Sequence, residues 1–325
     1  MLNAAMVGLG WWGKHSIESV HETSDKIKFV AATTRTTSQH ADYLAVRGIV
    51  AKNSYEDVLS DASIDAVILT TPHSQHHQQI LDAASAGKHV FVEKPVTLTK
   101  AHAIEAVAAM KAKGLTLGSG FSRRFQPSFN ALVETVRDGT IGEILHIEGE
   151  QSGPSAYKLK DGLWRAKRSE SPGGAMAARG VHVLDGMIHI AGPVLSVTAI
   201  SDKRIVDVDV DDTSAMMMRF IGGASGYLGS IYVTANIWRL QVYGSKGYSM
   251  MNGENTLVTK DLSNMERVTN FPNSNIVGLA LESFADAASG GAPFPVTPDE
   301  IISGVAAYEA MVKSAAQNSQ WVTTD

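Results

Sequence analysis

The strongest constraint on the fold is a glycine-rich turn close to the N-terminus. Residues 8–13 read Gly-Leu-Gly-Trp-Trp-Gly, directly after an apolar run at 2–7 and before a helical pattern at 14–21. In a strand–turn–helix unit, such glycines permit the tight turn, the approach of a pyrophosphate and close packing of the helix on the strand. A simple tight turn could use the same residues, but the flanking segments favour a dinucleotide site. The predicted cofactor contacts are Gly8, Gly10, Trp11, Trp12 and Gly13.

The first 120 residues alternate between strand and helix patterns. Strands are predicted at 2–7, 27–33, 48–51, 66–70, 89–92 and 115–118, and helices at 14–21, 38–47, 55–59, 75–86 and 100–113. Such alternation is typical of a parallel sheet with helices on both faces. We therefore predict a doubly wound parallel sheet that forms a dinucleotide-binding domain over residues 1–120.

After residue 120 the pattern changes. Helices are predicted at 127–138, 175–190, 276–288 and 298–316, strands at 143–151, 196–200, 214–220, 226–233, 238–243 and 256–259, and a long loop at 151–174. Several of these strands follow one another without intervening helices, which predicts a mainly antiparallel sheet. Residues 121–325 are thus predicted to form a second, α/β domain.

The composition narrows the chemistry. The chain has 325 residues, with 28 Lys and Arg against 33 Asp and Glu, and no cysteine. Its net charge of −5 does not favour a nucleic-acid partner, and the lack of cysteine excludes disulfides, thiolate metal sites and cysteine nucleophiles. No apolar run reaches the roughly 20 residues of a membrane span, and no basic cluster precedes the first apolar run as in a secretion signal. We expect a cytoplasmic protein without a membrane partner.

The segment after the second predicted strand bears on the choice of cofactor. An NAD site usually has Asp or Glu there, about 20 residues beyond the glycine turn, to bind the ribose 2′-hydroxyl. This chain has Thr34 and Arg35, and no carboxylate within residues 33–37. Hydroxyl and guanidinium donors suit a 2′-phosphate, so NADP(H) is the preferred cofactor and NAD(H) the alternative. Arg35 would have no such role if it only begins the next helix in solvent.

Further motifs, taken with the glycine turn, resemble those of the Gfo/Idh/MocA oxidoreductases. They are Thr71-Pro72 with His76, Gly87-Lys88-His89-Val90 leading to Glu93-Lys94-Pro95, Gly173-Gly174, and Gly180-x-His182-x-x-Asp185. Their order and spacing cover both halves of the chain. The resemblance implies a Rossmann domain followed by an α/β domain with an open, mainly antiparallel sheet, which binds the substrate and is often used for oligomer contacts.

The resemblance also implies a function. Members of this family bind NAD(P) tightly and transfer hydride at a secondary alcohol or ketone, typically of a small-molecule sugar or cyclic polyol. It implies a homodimer or homotetramer through the C-terminal sheet and a cis peptide bond before Pro95. It further implies cofactor contacts at Thr71, Pro72, His76, Glu93 and Lys94, with His76 at the ribose, and catalytic roles for Lys94 and His182.

Chemistry gives a reason for this catalytic pair. When hydride leaves a carbinol carbon, the hydroxyl proton must also depart, and a neutral imidazole such as His182 is a suitable base near pH 7. The ammonium of Lys94 can stabilise negative charge on the same oxygen and relay the proton. The alternatives are that Lys94 is a surface lysine and that His182 is a hydrogen-bonded helix histidine.

The sequence departs from the family pattern at one position. Family members that oxidise sugars commonly have an aspartate four residues before the histidine, where it can orient or assist that base. This chain has Ala178 there, followed by Arg179, which puts the standard oxidising mechanism in doubt. Asp185, three residues after His182, can orient the ring, contact the substrate or be structural.

Aromatic and basic residues indicate the substrate pocket. Tyr157 and Trp164 can stack on a ring, and Arg123 and Arg165 can bind hydroxyl or carboxylate groups. With Asp185 they form the predicted substrate site, whose cations favour an anionic sugar; the alternative for each cation is solvent or an ion pair. Neither His73, His76 and His77 nor His182, Asp185 and His189 have a recognised metal-ligand spacing, so no metal site is predicted.

These observations predict an NAD(P)-dependent oxidoreductase that acts on a secondary alcohol or ketone of a sugar, sugar acid or cyclic polyol. Two alternatives remain. One is a non-catalytic dinucleotide-binding sensor or regulator, which the missing aspartate permits. The other is an NAD-dependent glycosidase of the same fold, in which transient oxidation makes an adjacent proton acidic enough for elimination. The presence of both Lys94 and His182 favours catalysis over the sensor.

Overall fold

The computed structural model describes residues 1–325, which divide into two compact units. The first unit consists of residues 1–97, 101–122 and 275–298, and the second of residues 98–100, 123–274 and 299–325. Residues 275–298 therefore belong to the first unit, although they lie far beyond the boundary predicted at residue 120. No helix of the structure is both long enough and apolar enough to cross a membrane.

The first unit is built around a six-stranded sheet. Its strands are β1 (Leu2–Val7), β2 (Ile27–Thr33), β3 (Val50–Ala51), β4 (Ala66–Leu69), β5 (His89–Val92) and β6 (Leu117–Ser119). The helices between them are α1 (Trp11–Glu18), α2 (Ala41–Val46), α3 (Tyr55–Leu59), α4 (His73–Ser85) and α5 (Lys100–Ala112), and a 3₁₀ turn, Thr37–His40, precedes α2.

All six strands run parallel, in the order β3-β2-β1-β4-β5-β6. The order reverses between β1 and β4, which opens a crevice at the carboxyl ends of these strands. Val7 at the end of β1 lies opposite Thr33 of β2 and Leu69 of β4. Strand β4 is buried along its whole length, as expected for a parallel strand covered on both faces. The predicted doubly wound parallel sheet is confirmed.

The second half of the chain contains a nine-stranded sheet and four helices. In chain order its elements are α6 (Pro127–Arg137), β7 (Ile144–Ser152), α7 (Val181–Ala191), β8 (Val194–Asp202), β9 (Thr213–Phe220), β10 (Ser225–Ile231), β11 (Ile237–Gly244), β12 (Gly247–Asn252), β13 (Thr256–Asp261), β14 (Glu266–Asn270), α8 (Ile276–Ala288), α9 (Pro298–Ala316) and β15 (Val322–Thr323). Helix α8 is part of the first unit.

The strand order of the larger sheet is β14-β13-β12-β11-β7-β10-β9-β8-β15. Strands β7 and β10 pair in parallel, and the other neighbours are antiparallel. The two edge strands, β14 and β15, are not paired with each other, so the sheet is open. The predicted open, mainly antiparallel sheet is confirmed.

Helix α7 approaches this sheet closely at two glycines. A Cβ atom added at Gly149 of β7 would collide with Val183 Cγ1, and one at Gly226 of β10 would lie 3.2 Å from Met187 Cε. Because interiors are packed to crystal-like density, a helix can come this close only where the facing strands lack side chains. Gly149 therefore fixes the depth at which α7 lies on the sheet, whereas a Cβ at Gly226 would first meet Met218 and Phe220 of β9, at 2.9 Å.

Several elements differ from those predicted. Helix α1 begins at Trp11 rather than at residue 14, so both tryptophans lie in its first turn. The helix predicted at 175–190 begins as a π-helical turn, Met176–Gly180, and only then becomes α7. Strand β14 was not predicted because all five of its residues are exposed, so it lacks the alternation by which strands are identified.

Replacing Gly149 by alanine is expected to lower the free energy of unfolding by about 1–3 kcal/mol, because the added methyl group pushes α7 away from β7. Gly222→Ala is the matched control, since a Cβ there meets only Ala191 O, at 3.7 Å. Thermal unfolding followed by circular dichroism should show a lower midpoint for Gly149→Ala than for the control. Equal midpoints would contradict the close approach.

Candidate active site

Two glycines with no room for a side chain shape the turn between β1 and α1. Gly8 has a φ of +106°, and a Cβ atom there would lie 2.8 Å from Thr70 Oγ1. A Cβ at Gly13 would collide with the carbonyl oxygen of Gly8. The Gly8 N–H donates to Thr33 O (2.9 Å), and the Thr70 hydroxyl donates to Gly8 O (2.7 Å). Hydrogen bonds thus join the turn after β1 to the end of β2 and to the residue after β4. Thr70 is a residue of this site that was not predicted from the sequence.

Gly10 leaves open space beside this turn. It is the N-cap of α1, and a Cβ atom there would meet no atom within 4 Å. The first turn of α1 has no acidic residue, so its N–H groups and the helix dipole favour an anion. Trp11 is 74% exposed and stacks on His15, while Trp12 is half-buried and tilted against the same ring. The residues of the turn fit a dinucleotide pyrophosphate.

The predicted ribose contacts lie in the loop after β2. The Thr34 N–H donates to Thr37 Oγ1 (3.0 Å), which donates back to Thr34 O (2.6 Å). Arg35 lies between these two hydrogen-bonded threonines in the sequence, and its side chain is exposed. On the 3₁₀ turn that follows, burial lowers the pKa of His40, and the charge of Lys14 lowers it further. Arg35 is accessible to a ligand, and its contact with the cofactor stays a prediction.

Thr71, Pro72 and His76 lie where β4 leads into α4. Pro72 is the N-cap of the helix, and Thr71 Oγ1 donates to Gln79 Oε1 (2.6 Å). His76 is fully buried, with Nδ1 3.0 Å from Pro95 O and Nε2 3.1 Å from Thr71 O. The prediction that His76 touches the ribose is therefore corrected. Its buried ring instead ties the loop after β4 to the loop after β5.

The Glu93-Lys94-Pro95 motif forms the loop after β5. The Lys94–Pro95 peptide bond is cis, as predicted. The Glu93 N–H donates to Leu69 O (2.9 Å), and a Cβ atom at Gly120 would collide with the Glu93 carboxylate. Lys94 is half-buried. Because β1, β4 and β5 are parallel, Lys94 and the glycine turn lie at the same edge of the sheet.

In the second unit, His182 lies in the first turn of α7 and is half-buried. The π turn Met176–Gly180 leads into it, and π turns occur frequently at functional sites. Ala178, which stands where an aspartate is common in the family that the sequence resembles, packs against the buried cluster of Ala156, Ala175 and Tyr232. Apolar packing thus takes the place of the missing carboxylate.

Asp185, one turn further along α7, forms a buried ion pair. Arg124 Nε and Nη2 lie 2.6 and 2.9 Å from its two carboxylate oxygens, and the two side chains are 3% and 4% exposed. Arg124 Nη2 also lies 3.1 Å from Glu300 Oε1, which is 2.7 Å from His189 Nδ1. Burial disfavours the charge of Arg124, but Asp185 and Glu300 outweigh it and raise its pKa. The predicted substrate contact of Asp185 is corrected, because Arg124 holds both of its oxygens.

The remaining predicted substrate contacts also lie in the second unit. Arg123 pairs with Glu254, which is the ion-pair alternative that the sequence left open. Arg165 is exposed and lies over the ring of Trp164, with 4.1 Å from Cζ to the ring centroid. Tyr157 is 62% exposed. Tyr157 and Arg165 therefore offer surface to a ligand, whereas the charge of Arg123 is already compensated.

Comparison with known proteins identifies both halves of the chain. The family model GFO_IDH_MocA, described as an oxidoreductase family with an NAD-binding Rossmann fold, matches residues 2–121. The model of the GFO/IDH/MocA C-terminal domain matches residues 129–249. Inositol 2-dehydrogenase of Rhizobium meliloti is 30% identical over 278 residues, which is 80% of this chain and 81% of that protein. The uncharacterized oxidoreductase YrbE of Bacillus subtilis is 29% identical over 60% of this chain, and the match spans only 57% of YrbE.

The fold is also that of solved structures. Levoglucosan dehydrogenase, in complex with NADH and levoglucosan, superposes with a TM-score of 0.88 over 99% of each chain, at 23% identity. At this identity the likeness concerns the fold alone. The two family models and the match to inositol 2-dehydrogenase show the family as well as the fold. On that basis this chain belongs to the Gfo/Idh/MocA family and is an oxidoreductase enzyme with an NAD-binding Rossmann domain.

Proposed function

We propose that this enzyme transfers hydride between a nicotinamide cofactor and a secondary alcohol or ketone of a sugar, sugar acid or cyclic polyol. The observation that carries the proposal is Lys94 on the loop after β5, at the same sheet edge as the glycine turn. Ligands of open α/β sheets bind at this edge, beside the reversal of strand order. The name of inositol 2-dehydrogenase supports a CH–OH substrate.

The chain's own residues would stabilise the charge that develops on the substrate oxygen and would transfer its proton. The bound nicotinamide supplies the hydride acceptor or donor. Lys94 would stabilise negative charge on the substrate oxygen and relay its proton. His182, as a neutral imidazole, would take up the hydroxyl proton in the oxidative direction. With Ala178 one turn earlier, His182 has no acid at that position to which the proton could pass.

NADP(H) is the cofactor that we propose, with NAD(H) as the alternative. The pyrophosphate would lie on residues 8–13, and the nicotinamide end near Thr71, Pro72, Glu93 and Lys94. The exposed Arg35 and the lack of a carboxylate in residues 33–37 support binding of a 2′-phosphate, because an acid there would repel it.

Turnover tests the proposed function directly. The purified protein is mixed with each nicotinamide cofactor and a panel of myo-inositol, levoglucosan, D-glucose, D-galactose and the two corresponding uronates. The absorbance of reduced nicotinamide is followed in both directions. We expect cofactor-dependent turnover of at least one compound. Tight cofactor binding without any turnover would contradict the proposal and favour the sensor.

Lys94→Ala is expected to lower kcat by about 100-fold or more, because the substrate oxygen loses its charged hydrogen-bond donor. Cofactor affinity should change little, which separates a catalytic from a binding role. Lys111→Ala is the control, since Lys111 lies exposed in the last turn of α5. If Lys94→Ala turns over at the rate of this control, lysine has no part in the reaction.

Arg35→Ala is expected to weaken NADPH binding by about 10- to 100-fold, because a charged hydrogen bond to the 2′-phosphate is lost. NADH carries a hydroxyl there, so its affinity should hardly change. Both dissociation constants are measured by fluorescence titration, with the exposed Arg137→Ala as the control. Equal losses for the two cofactors would refute the assignment of Arg35.

A further inference from the structure

Arg179 lies in the π turn, three residues before His182, and its side chain is half-buried. Its Nε and Nη2 donate to Ser155 Oγ (3.1 and 3.0 Å), and its Nη1 donates to the Ser152 carbonyl oxygen (3.3 Å). All of these acceptors are uncharged. A guanidinium has five N–H groups, so one N–H on each terminal nitrogen remains for a further acceptor.

No carboxylate compensates the charge of Arg179. Burial lowers the pKa of Arg179, the phenol of Tyr232 opposes this change, and the neighbouring cation Arg123 lowers the pKa further. Two other arginines of the same unit differ in this respect, because Arg124 pairs with Asp185 and Arg168 with Asp211. Removing a guanidinium from water without an opposite charge is unfavourable. The binding of an anion would offset that cost.

The fold makes room for this guanidinium. A Cβ atom at Gly153 would lie 2.5 Å from Asn236 Oδ1 and 2.8 Å from Arg179 Cζ, so the glycine leaves space for both side chains. The buried phenol of Tyr232 is close by. Burial raises the pKa of Tyr232, and the positive charges of Arg165 and Arg179 oppose that rise. The charges of Arg165 and Arg179 thus both act on the phenol of Tyr232, which packs against Ala175 just before the π turn that leads to His182.

We propose that Arg179 binds the carboxylate of an acidic substrate, and that the substrate class is a sugar acid or a carboxylated cyclic polyol. This inference rests on the proposed function, because it names the substrate class of the same site. A guanidinium recognises a planar carboxylate through paired N–H groups. The two oxygens of a carboxylate lie in one plane and match the remaining N–H groups, one on each terminal nitrogen, whereas a phosphate is tetrahedral. A neutral sugar would leave the charge of Arg179 uncompensated.

Matched substrate pairs test this inference. D-Glucuronate is compared with D-glucose and D-galacturonate with D-galactose, and D-glucose 6-phosphate is the dianionic probe. Binding to the cofactor-saturated protein is measured by titration calorimetry, and kcat/KM by the absorbance of reduced nicotinamide. The variants are Arg179→Gln and Arg179→Lys. Arg137→Gln is the control, because Arg137 is an exposed residue of α6 that pairs with Glu134 on the same helix.

At least one uronate is expected to bind the wild-type protein about tenfold or more tightly than its neutral partner. Arg179→Gln should remove this preference mainly by weakening the binding of the uronate. Arg179→Lys should retain part of it, because lysine keeps the charge but not the paired N–H groups. Arg137→Gln should behave as the wild type. Thermal unfolding and cofactor affinity verify that each variant is folded.

Three results would overturn the inference. The first is a wild-type protein that binds neither uronate more tightly than its neutral partner. The second is an Arg179→Gln variant that loses the same affinity for the acid as for the neutral sugar. The third is tighter binding of the phosphate than of the uronates. If Arg179→Gln does not fold, the wild-type comparison and Arg179→Lys still decide.

The inference and the proposed function can fail separately. Hydride transfer to or from neutral compounds, with a preference that Arg179→Gln leaves unchanged, would refute the carboxylate site alone. No turnover with any compound, together with an Arg179-dependent preference for uronates in calorimetry, would refute hydride transfer alone.

Discussion

The close approach of Gly13 to the carbonyl oxygen of Gly8 determines the geometry of the first unit's crevice. A methyl group at Gly13 would separate α1 from the end of β1, and the N–H groups of the helix would then no longer face the edge of the sheet. The hydroxyl of Thr70 and the carbonyl of Thr33 hold the turn from both sides of the strand reversal. The anion site thus depends on backbone packing more than on any charged side chain.

The second unit depends on a different kind of constraint. Helix α7 carries His182 and is fixed to the sheet at Gly149, while Asp185 joins it to the buried guanidinium of Arg124. Removing one partner of a buried ion pair typically costs about 3–5 kcal/mol, because the other charge is left without compensation. The position of His182 is therefore set by apolar contact on one side and by a charge pair one turn away.

Local patterns were sufficient to predict much of the first unit. Strands β1, β2 and β5 are short apolar runs next to glycines or turns, and their bounds match the predicted ones. The contacts of His76 with Pro95 and of Arg124 with Asp185 could not be predicted, because they join residues 19 and 61 positions apart. Nothing local distinguishes a histidine that faces a ligand from one that holds two loops together. The packing of residues 275–298 within the first unit likewise joins segments that are far apart in the sequence.

The close approach of Gly153 to the guanidinium of Arg179 links these two positions in the sequences of the family. A Cβ atom at position 153 would lie 2.5 Å from Asn236 Oδ1 and 2.8 Å from Arg179 Cζ, so a larger residue there would require both side chains to move. The hydrogen bonds of Arg179 to Ser155 and Ser152 would then have to rearrange. Positions 153 and 179, 26 residues apart in the sequence, should therefore vary together in homologues.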